Sequence, residues 1–124
     1  MRLIPVAVGD TVVMNRRVLV VDDQKELREI ISRRVVDAGH TMLATATNGP
    51  EALLRAADDV PDVVILDYMM PGMTGEEVAR EMRGQFPGIK IIACSGVAKS
   101  KPYWADAYVD KNQLVDLEFV LGSV

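Results

Sequence analysis

The sequence lacks the features that mark several classes of protein. It contains one cysteine, which excludes an internal disulfide and a cysteine-rich metal site. Its unbroken apolar runs are only a few residues long, whereas a membrane helix needs roughly 20 apolar residues. The apolar stretch at residues 3–8 is interrupted by Pro5 and is followed by no clear cleavage site, so we predict no signal peptide. Basic residues (14) are outnumbered by acidic ones (18), which argues against a nucleic-acid-binding surface.

What remains is the composition of an ordinary globular chain. The 124 residues are 49% hydrophobic and 26% charged, which is close to the average for folded domains. This length suits one domain with its own core, without metal or disulfide crosslinks. We therefore expect a soluble, cytoplasmic protein that binds neither membrane nor nucleic acid.

Valine-rich apolar runs alternate with helical patterns along the chain. Asn48, Gly49 and Pro50 are typical of a helix start, and Gly39 is placed to end the preceding helix. The patterns predict helices over 24–38, from about 49, over the stripe 78–86 and over 112–121, and strands at 17–21, 41–47, 62–66, 89–94 and 107–109. This alternation predicts an α/β fold in which a parallel sheet has helices on both faces. Ligands of such folds bind beyond the carboxyl ends of the strands.

Polar side chains follow four of the predicted strands at that end. Asp22 and Asp23 follow the first strand, Asp67 the third, Ser95 the fourth and Lys111 the fifth. Three carboxylates close together repel one another, so a cation should hold them, and all-oxygen ligation favours Mg²⁺. A carboxylate beside a metal can accept a phosphoryl group as an acyl phosphate, which makes Asp67 the candidate nucleophile.

Each of these residues also has a purely structural interpretation. Asp22 or Asp23 could cap the helix that follows, Asp67 could organise the Pro-Gly turn, Ser95 could be a turn serine and Lys111 a solvated surface charge. We favour the functional interpretation because all four positions coincide at one edge of the sheet. His40, the one histidine, follows a predicted helix and is expected to be a solvated loop residue.

Four segments resemble the receiver domain of two-component response regulators. They are VLVVDDQ at 18–24, VILDYMMPGMTG at 64–75, IIACSG at 91–96 and AYVDK at 107–111. The resemblance covers residues 16–124 and implies a flavodoxin-like, doubly wound sheet of five parallel strands in the order 2-1-3-4-5. It also implies that Asp67 is the phosphoacceptor. Mg²⁺ would be held by Asp22, Asp23, Asp67 and the backbone carbonyl of Met69.

The resemblance further implies how the site works. Ser95 would hydrogen-bond the bound phosphoryl group, Lys111 would pair with its charge, and Ser95 and Tyr108 would form the switch. The phosphodonor would be a histidine kinase or phosphotransfer protein, and the output a downstream protein target. Such a domain is not an enzyme on external substrates; it catalyses its own phosphorylation and a slow autodephosphorylation. We expect the apolar Met69 to slow attack by water weakly.

The sequence departs from the family between Ser95 and Lys111. The connection is several residues shorter than the resemblance leads us to expect, and 98–106 has Pro102 and no apolar periodicity, so the fourth helix should be shortened or absent. Tyr103 and Trp104 would either seal the core there, which we favour, or anchor a partner. Asn112 replaces the family's usual proline, so this turn should take a different path.

Residues 1–15 form an N-terminal extension outside the resemblance, before a receiver domain at 16–124. Either translation starts at Met14 and the extension has little consequence, or 11–13 add an edge strand or support a dimer contact. We expect a monomer or weak homodimer. Since no DNA-binding motif follows the last predicted helix, output should act through protein contact, unless the sequence is a piece of a larger protein.

Two other functions fit the sequence less well. One is a receiver-like docking module that binds its partner independently of phosphorylation through the remodelled fourth-helix region. The other is a Mg²⁺-dependent phosphatase with an aspartyl-phosphate intermediate. The phosphatase would need a second acid two residues after Asp67, where Met69 stands.

Overall fold

The computed structural model describes residues 4–96 and 100–124. Within them, seven strands, four α-helices and one 3₁₀ helix follow one another along the chain. The strands are β1 (Ile4–Val8), β2 (Thr11–Asn15), β3 (Arg17–Val21), β4 (Thr41–Ala46), β5 (Val63–Asp67), β6 (Lys90–Ser95) and β7 (Ala107–Asp110). The helices are α1 (Lys25–Asp37), α2 (Gly49–Asp58), α3 (Gly75–Gln85) and α4 (Leu117–Ser123), and the 3₁₀ helix is Leu114–Asp116.

Strands β3 to β7 form one parallel sheet in the order β4-β3-β5-β6-β7. Counted from β3, this is the predicted order 2-1-3-4-5, and the flavodoxin-like doubly wound fold is confirmed. The central strand β5 is buried along its whole length, which is typical of a parallel sheet that helices cover on both faces.

Alternate residues of the central strands supply two separate cores. Since side chains alternate between faces along a strand, one face takes Leu19, Leu66 and Ile91, while the other takes Val20, Ile65 and Ile92. The first core is closed by α2 and α3, which contribute residues such as Ala52 and Met82; the second is closed by α1 and α4, which contribute residues such as Ile31 and Leu121.

Two helix ends follow the predicted capping residues Gly39 and Asn48. Gly39 has φ +91° and donates its N–H to the carbonyl of Val36, which ends α1. The side chain of Asn48 accepts from the N–H of Glu51 at the start of α2. Helix α3 begins with a capping box of Thr74 and Glu77. In the described part of the chain, no helix is long and apolar enough to cross a bilayer.

The prediction for His40 was wrong. Its side chain is buried (6% exposed), and Nδ1 accepts from the backbone N–H of Arg16 at 3.0 Å. Burial and the neighbouring Arg16 charge lower the pKa of His40. The imidazole therefore belongs to the joint between β2 and β3 and is not a solvated loop group.

The last helix begins later than predicted. Instead of a helix over 112–121, a turn follows β7, in which Asp110 accepts from the N–H of Asn112 through its carboxylate and from the N–H of Gln113 through its carbonyl. The 3₁₀ helix comes next, and only then α4. Every peptide bond in the described residues is trans, including that between Lys111 and Asn112.

Residues 100–106 form turns and contain no helix, as predicted for the fourth-helix region. Residues 98 and 99 of the predicted segment 98–106 lie outside the described residues. This segment is fastened to the sheet by Asp106, whose N–H donates to the carbonyl of Ile91 and whose carboxylate accepts from the N–H of Ile91, both at 2.8 Å. Arg83 of α3 donates to the carbonyl of Trp104 at 2.9 Å and to the Asp106 carboxylate at 3.0 Å.

Trp104 and Tyr103 point in different directions. Trp104 is 8% exposed and belongs to the first core, where its ring lies 5.5 Å from that of Tyr68, centroid to centroid. Tyr103 is 80% exposed, and its hydroxyl donates to Glu76. Trp104 thus fills space beside α3 as predicted, and Tyr103 does not.

The N-terminal extension pairs with itself. Strands β1 and β2 form a separate antiparallel two-stranded sheet, in register from Ile4↔Asn15 to Val8↔Thr11. The alternative of an added edge strand on the main sheet is therefore wrong. Asn15 ties the base of this hairpin to the domain by donating to the carbonyl of Gly39 at 2.9 Å.

We predict that Trp104→Ala destabilises the protein by about 3–5 kcal/mol, because it removes a buried indole and leaves a cavity. Tyr103→Ala, the matched control, should change the free energy of unfolding by less than about 1 kcal/mol, because the ring is exposed. Urea unfolding followed by circular dichroism measures both. Unchanged stability of Trp104→Ala would contradict the core position of this side chain.

Candidate functional site

The carboxyl ends of four parallel strands meet at one edge of the sheet. Asp22 directly follows β3, Asp67 and Ser95 are the last residues of β5 and β6, and Lys111 directly follows β7. An open cavity of about 420 Å³ lies over this edge. It is lined by Asp23, Gln24, Asp67, Met69, Ser95, Gly96 and Lys111.

The Lys111 ammonium lies between two carboxylates. Its Nζ is 2.9 Å from Oδ2 of Asp22 and 3.1 Å from Oδ1 of Asp67. The lysine side chain is only 15% exposed, and those of Asp22 and Asp67 are 1% and 3% exposed. The alternative of a solvated surface charge is therefore wrong for Lys111.

Three carboxylates of this site are close enough to share a cation. One oxygen each from Asp22, Asp23 and Asp67 lies within 4.8 Å of the others. Asp22 and Asp67 are buried, whereas Asp23 is exposed and faces the cavity. An all-carboxylate donor set with an open side toward water is what Mg²⁺ prefers, so the residues present fit this ion.

The charges of the site perturb one another. Burial and the negative charge of Asp22 raise the pKa of Asp67 to about 6, although Lys111 opposes the shift. Burial favours the neutral amine of Lys111, but its hydrogen bonds and ion pairs with Asp22 and Asp67 outweigh burial and raise the pKa of the lysine. Lys111 therefore stays charged, while Asp67 carries repulsion that a further cation would relieve.

Backbone groups orient the two buried acids. Oδ1 of Asp22 accepts from the N–H of Gln24 at 2.9 Å, and Oδ1 of Asp67 accepts from the N–H of Met69 at 3.2 Å. Gln24 itself is the N-cap residue of α1, and no side chain caps this helix end. The capping alternative for Asp22 and Asp23 is therefore wrong.

Ser95 and Tyr108 are joined through the backbone. The carbonyl of Ser95 accepts from the Tyr108 hydroxyl at 3.2 Å and from the N–H of Lys111 at 2.9 Å. Ser95 is buried and Tyr108 is half-buried against the first core. A displacement of Ser95 would therefore change its hydrogen bonds with both Tyr108 and Lys111.

Sequence reasoning missed two residues near the site. Gln24 lines the cavity, and Arg28 donates from Nη1 to the backbone carbonyl of Asp22 at 2.8 Å. One signal in the sequence could have indicated Arg28. It lies in the first turn of a predicted helix that directly follows the acidic pair, and the helix dipole disfavours a cation in a first turn.

We predict that Asp67→Asn raises the free energy of unfolding by roughly 1–3 kcal/mol at pH 7 without divalent cations, because it removes a carboxylate whose ionisation is disfavoured in the fold. Since the folded-state pKa is raised, the wild type should lose stability relative to the variant as pH rises from 3.8 to about 6. Urea unfolding in EDTA across this range measures the difference.

The protonation of His40 contributes equally to the wild type and to Asp67→Asn, so it cancels in the difference between their free energies of unfolding. Added Mg²⁺ should stabilise the wild type more than Asp67→Asn. A variant less stable than the wild type at pH 7 in EDTA would contradict the repulsion described at Asp67.

Comparison with known proteins assigns the chain to a family. The family model of the response regulator receiver domain matches residues 18–113. Among curated proteins, the chain is 36% identical over 86 residues to the chemotaxis protein CheY of Thermotoga maritima, an alignment that covers 69% of this chain and 72% of that protein. It is 35% identical over 83 residues to the alkaline phosphatase synthesis transcriptional regulatory protein PhoP of Bacillus subtilis, covering 64% of this chain but 34% of that longer protein.

Solved structures agree with these relatives. The response regulator protein TrrA from Thermotoga maritima, in complex with Mg(2+)-BeF, is 35% identical and superposes with a TM-score of 0.76, covering 86% of this chain and 96% of that one. The chemotaxis protein CheY4 of Vibrio cholerae is 28% identical with a TM-score of 0.71, covering 83% and 95%. The fold, the residues matched and these relatives together show that the chain belongs to the receiver domain family of two-component response regulators.

Proposed function

We propose that this receiver domain accepts a phosphoryl group on Asp67 in a Mg²⁺-dependent reaction and thereby switches a protein-interaction surface. The observation that carries the proposal is the position of the Lys111 ammonium, between Asp22 and Asp67 at the floor of an open cavity. A half-buried cation and a cluster of acids at this edge form a site for a group that is itself anionic and metal-bound.

Asp22, Asp23, Asp67 and the backbone carbonyl of Met69 would hold the metal. When bound, Mg²⁺ supplies positive charge that neutralises the acids and the incoming phosphoryl oxygens. The mutual distance of the three carboxylates, within 4.8 Å, and the raised pKa of Asp67 support this assignment, because both describe negative charge that the protein alone leaves partly uncompensated.

Asp67 is the nucleophile of the proposed reaction. One of its carboxylate oxygens forms a bond to phosphorus while the bond from phosphorus to the donor's leaving group breaks on the opposite side. The Met69 N–H already orients Oδ1 of Asp67. Lys111 offsets the charge on the phosphoryl oxygens, and the Ser95 hydroxyl donates a hydrogen bond to one of them.

The switch in this proposal is the pair Ser95 and Tyr108. Phosphorylation adds about −1.5 to −2 charge units at the strand ends. Drawing Ser95 toward that charge would move the carbonyl that accepts from the Tyr108 hydroxyl. Tyr108 would then change its packing against the first core, which alters the surface beside β7.

The remaining parts of the proposal concern the setting of this reaction. The phosphodonor is a histidine kinase or phosphotransfer protein, and the output is contact with a downstream protein by a monomer or weak homodimer in the cytoplasm. The domain promotes its own phosphorylation and a slow autodephosphorylation. Met69, whose side chain is 63% exposed at the cavity, places an apolar group where water would approach.

A second candidate is a docking module that does not depend on phosphorylation. It is favoured by the segment 100–106, which replaces the expected fourth helix and is fastened by Asp106 and Arg83. A segment tied to α3 and β6 in this way presents a fixed surface without any modification of Asp67.

We predict that the wild type gains one phosphoryl group when it is incubated with Mg²⁺ and acetyl phosphate, as measured by intact mass spectrometry. Asp67→Asn should gain none, because the amide cannot form an acyl phosphate. EDTA should prevent the addition to the wild type.

Lys111→Gln is a useful companion variant, since it keeps a polar side chain but removes the charge between the acids. It should be phosphorylated at least about tenfold more slowly than the wild type. Equal addition to the wild type and to Asp67→Asn would refute Asp67 as acceptor. Absence of both phosphorylation by a kinase and Mg²⁺ binding would favour the docking module.

A further inference from the structure

Arg28 reaches back from α1 to the acidic pair. Its Nη1 donates to the backbone carbonyl of Asp22 at 2.8 Å, and the side chain is half-buried. That carbonyl belongs to the peptide group that joins Asp22 to Asp23. The arginine therefore bonds the one backbone unit that lies between two of the three clustered carboxylates.

The other groups of Asp22 are already held by different partners. Its N–H donates to the carbonyl of Ala46 in β4 at 3.1 Å, and its Oδ1 accepts from the N–H of Gln24. Lys111 lies against its Oδ2. Asp22 is thus fixed within the sheet, and the rotation of the peptide that follows it decides where the exposed carboxylate of Asp23 lies.

Arg28 occupies a position in α1 that is electrostatically unfavourable for a cation. It lies in the first turn of α1, where the positive end of the helix dipole disfavours a cation. Long side chains on a helix lean toward its N-terminus, so this placement carries the guanidinium to the end of β3. The hydrogen bond to the Asp22 carbonyl compensates for this unfavourable placement.

We propose that Arg28 is a positioning residue, which sets the Mg²⁺ affinity of the site by fixing the peptide between Asp22 and Asp23. The inference rests on the metal site of the proposed function and deepens it. Arg28 is not among the residues that line the cavity; it acts through the backbone of Asp22 on the direction of the Asp23 carboxylate.

Charge and positioning make opposite predictions for the loss of this arginine. Removing a cation that is bonded to the backbone of Asp22 would, by charge alone, strengthen the binding of Mg²⁺. Releasing the peptide would weaken binding, because the two carboxylates no longer lie in the geometry that the ion needs. The sign of the change in affinity therefore separates the two effects.

The test is isothermal titration calorimetry of the full chain with MgCl₂. Arg28→Gln should bind Mg²⁺ about tenfold more weakly than the wild type, a size typical of lost partners that orient metal ligands. Arg28→Lys keeps the charge but lacks the planar fork, so its affinity should lie between the two. Arg33→Gln, the matched control, removes the same charge from an exposed position on the same helix and should change the affinity less than twofold.

A phosphorylation series supplies a second readout. With acetyl phosphate, Arg28→Gln should need about tenfold more Mg²⁺ for half-maximal rate, while its rate at saturating Mg²⁺ stays near that of the wild type. A general structural defect would lower the saturated rate instead. Circular dichroism in EDTA verifies that each variant is folded. If Arg28→Gln does not fold, the comparison of Mg²⁺ affinity between Arg28→Lys and the wild type tests the inference instead.

Equal or tighter Mg²⁺ binding by the folded Arg28 variant would overturn the inference, as would a wild type that binds no Mg²⁺. Weaker binding by both the Arg28→Gln and Arg33→Gln variants would also overturn it, since the effect would not be specific to the Asp22 carbonyl. If the wild type binds Mg²⁺ with the expected dependence on Arg28 but accepts no phosphoryl group, the inference stands and the proposed function fails.

Discussion

The ion pairs of Lys111 with Asp22 and Asp67 connect parts of the chain that are far apart in sequence. Two buried acids at one sheet edge repel each other, and the lysine is the cation that the chain itself provides between them. Its position depends on β7, because the Lys111 N–H donates to the carbonyl of Ser95 at the end of β6. The register of β7 therefore determines where the Lys111 charge lies relative to Asp22 after β3 and Asp67 at the end of β5.

That register has to be maintained without the expected fourth helix. Asp106 does this by bonding both the N–H and the carbonyl of Ile91, so that its side chain replaces a backbone partner just before β7 begins. Arg83 secures the same carboxylate from α3. In the described residues 100–106, these contacts align β7 without a helix.

The sequence predicted the sheet and which side chains lie at one of its edges, because parallel topology brings every strand end to the same edge. It failed where a side chain's direction or a distant partner decides the outcome. The burial of His40 depends on a hydrogen bond from Arg16 across 24 positions, and the reach of Arg28 depends on the lean of a helical side chain. The late start of α4 depends on Asp110, which holds residues 112 and 113 in a turn although they lie within the predicted helical pattern.

Trp104 and Tyr68 illustrate the same limit and have a practical consequence. Size and apolarity alone could not say whether Trp104 faced inward, but Gly75 leaves room for it: a Cβ at Gly75 would lie 3.1 Å from the indole. Trp104 is also the one tryptophan of the chain, and its ring makes a tilted contact with that of Tyr68, the residue next to Asp67. The protein thus contains an intrinsic fluorophore beside the loop after Asp67, and we expect its emission to change if occupancy of the site moves that loop.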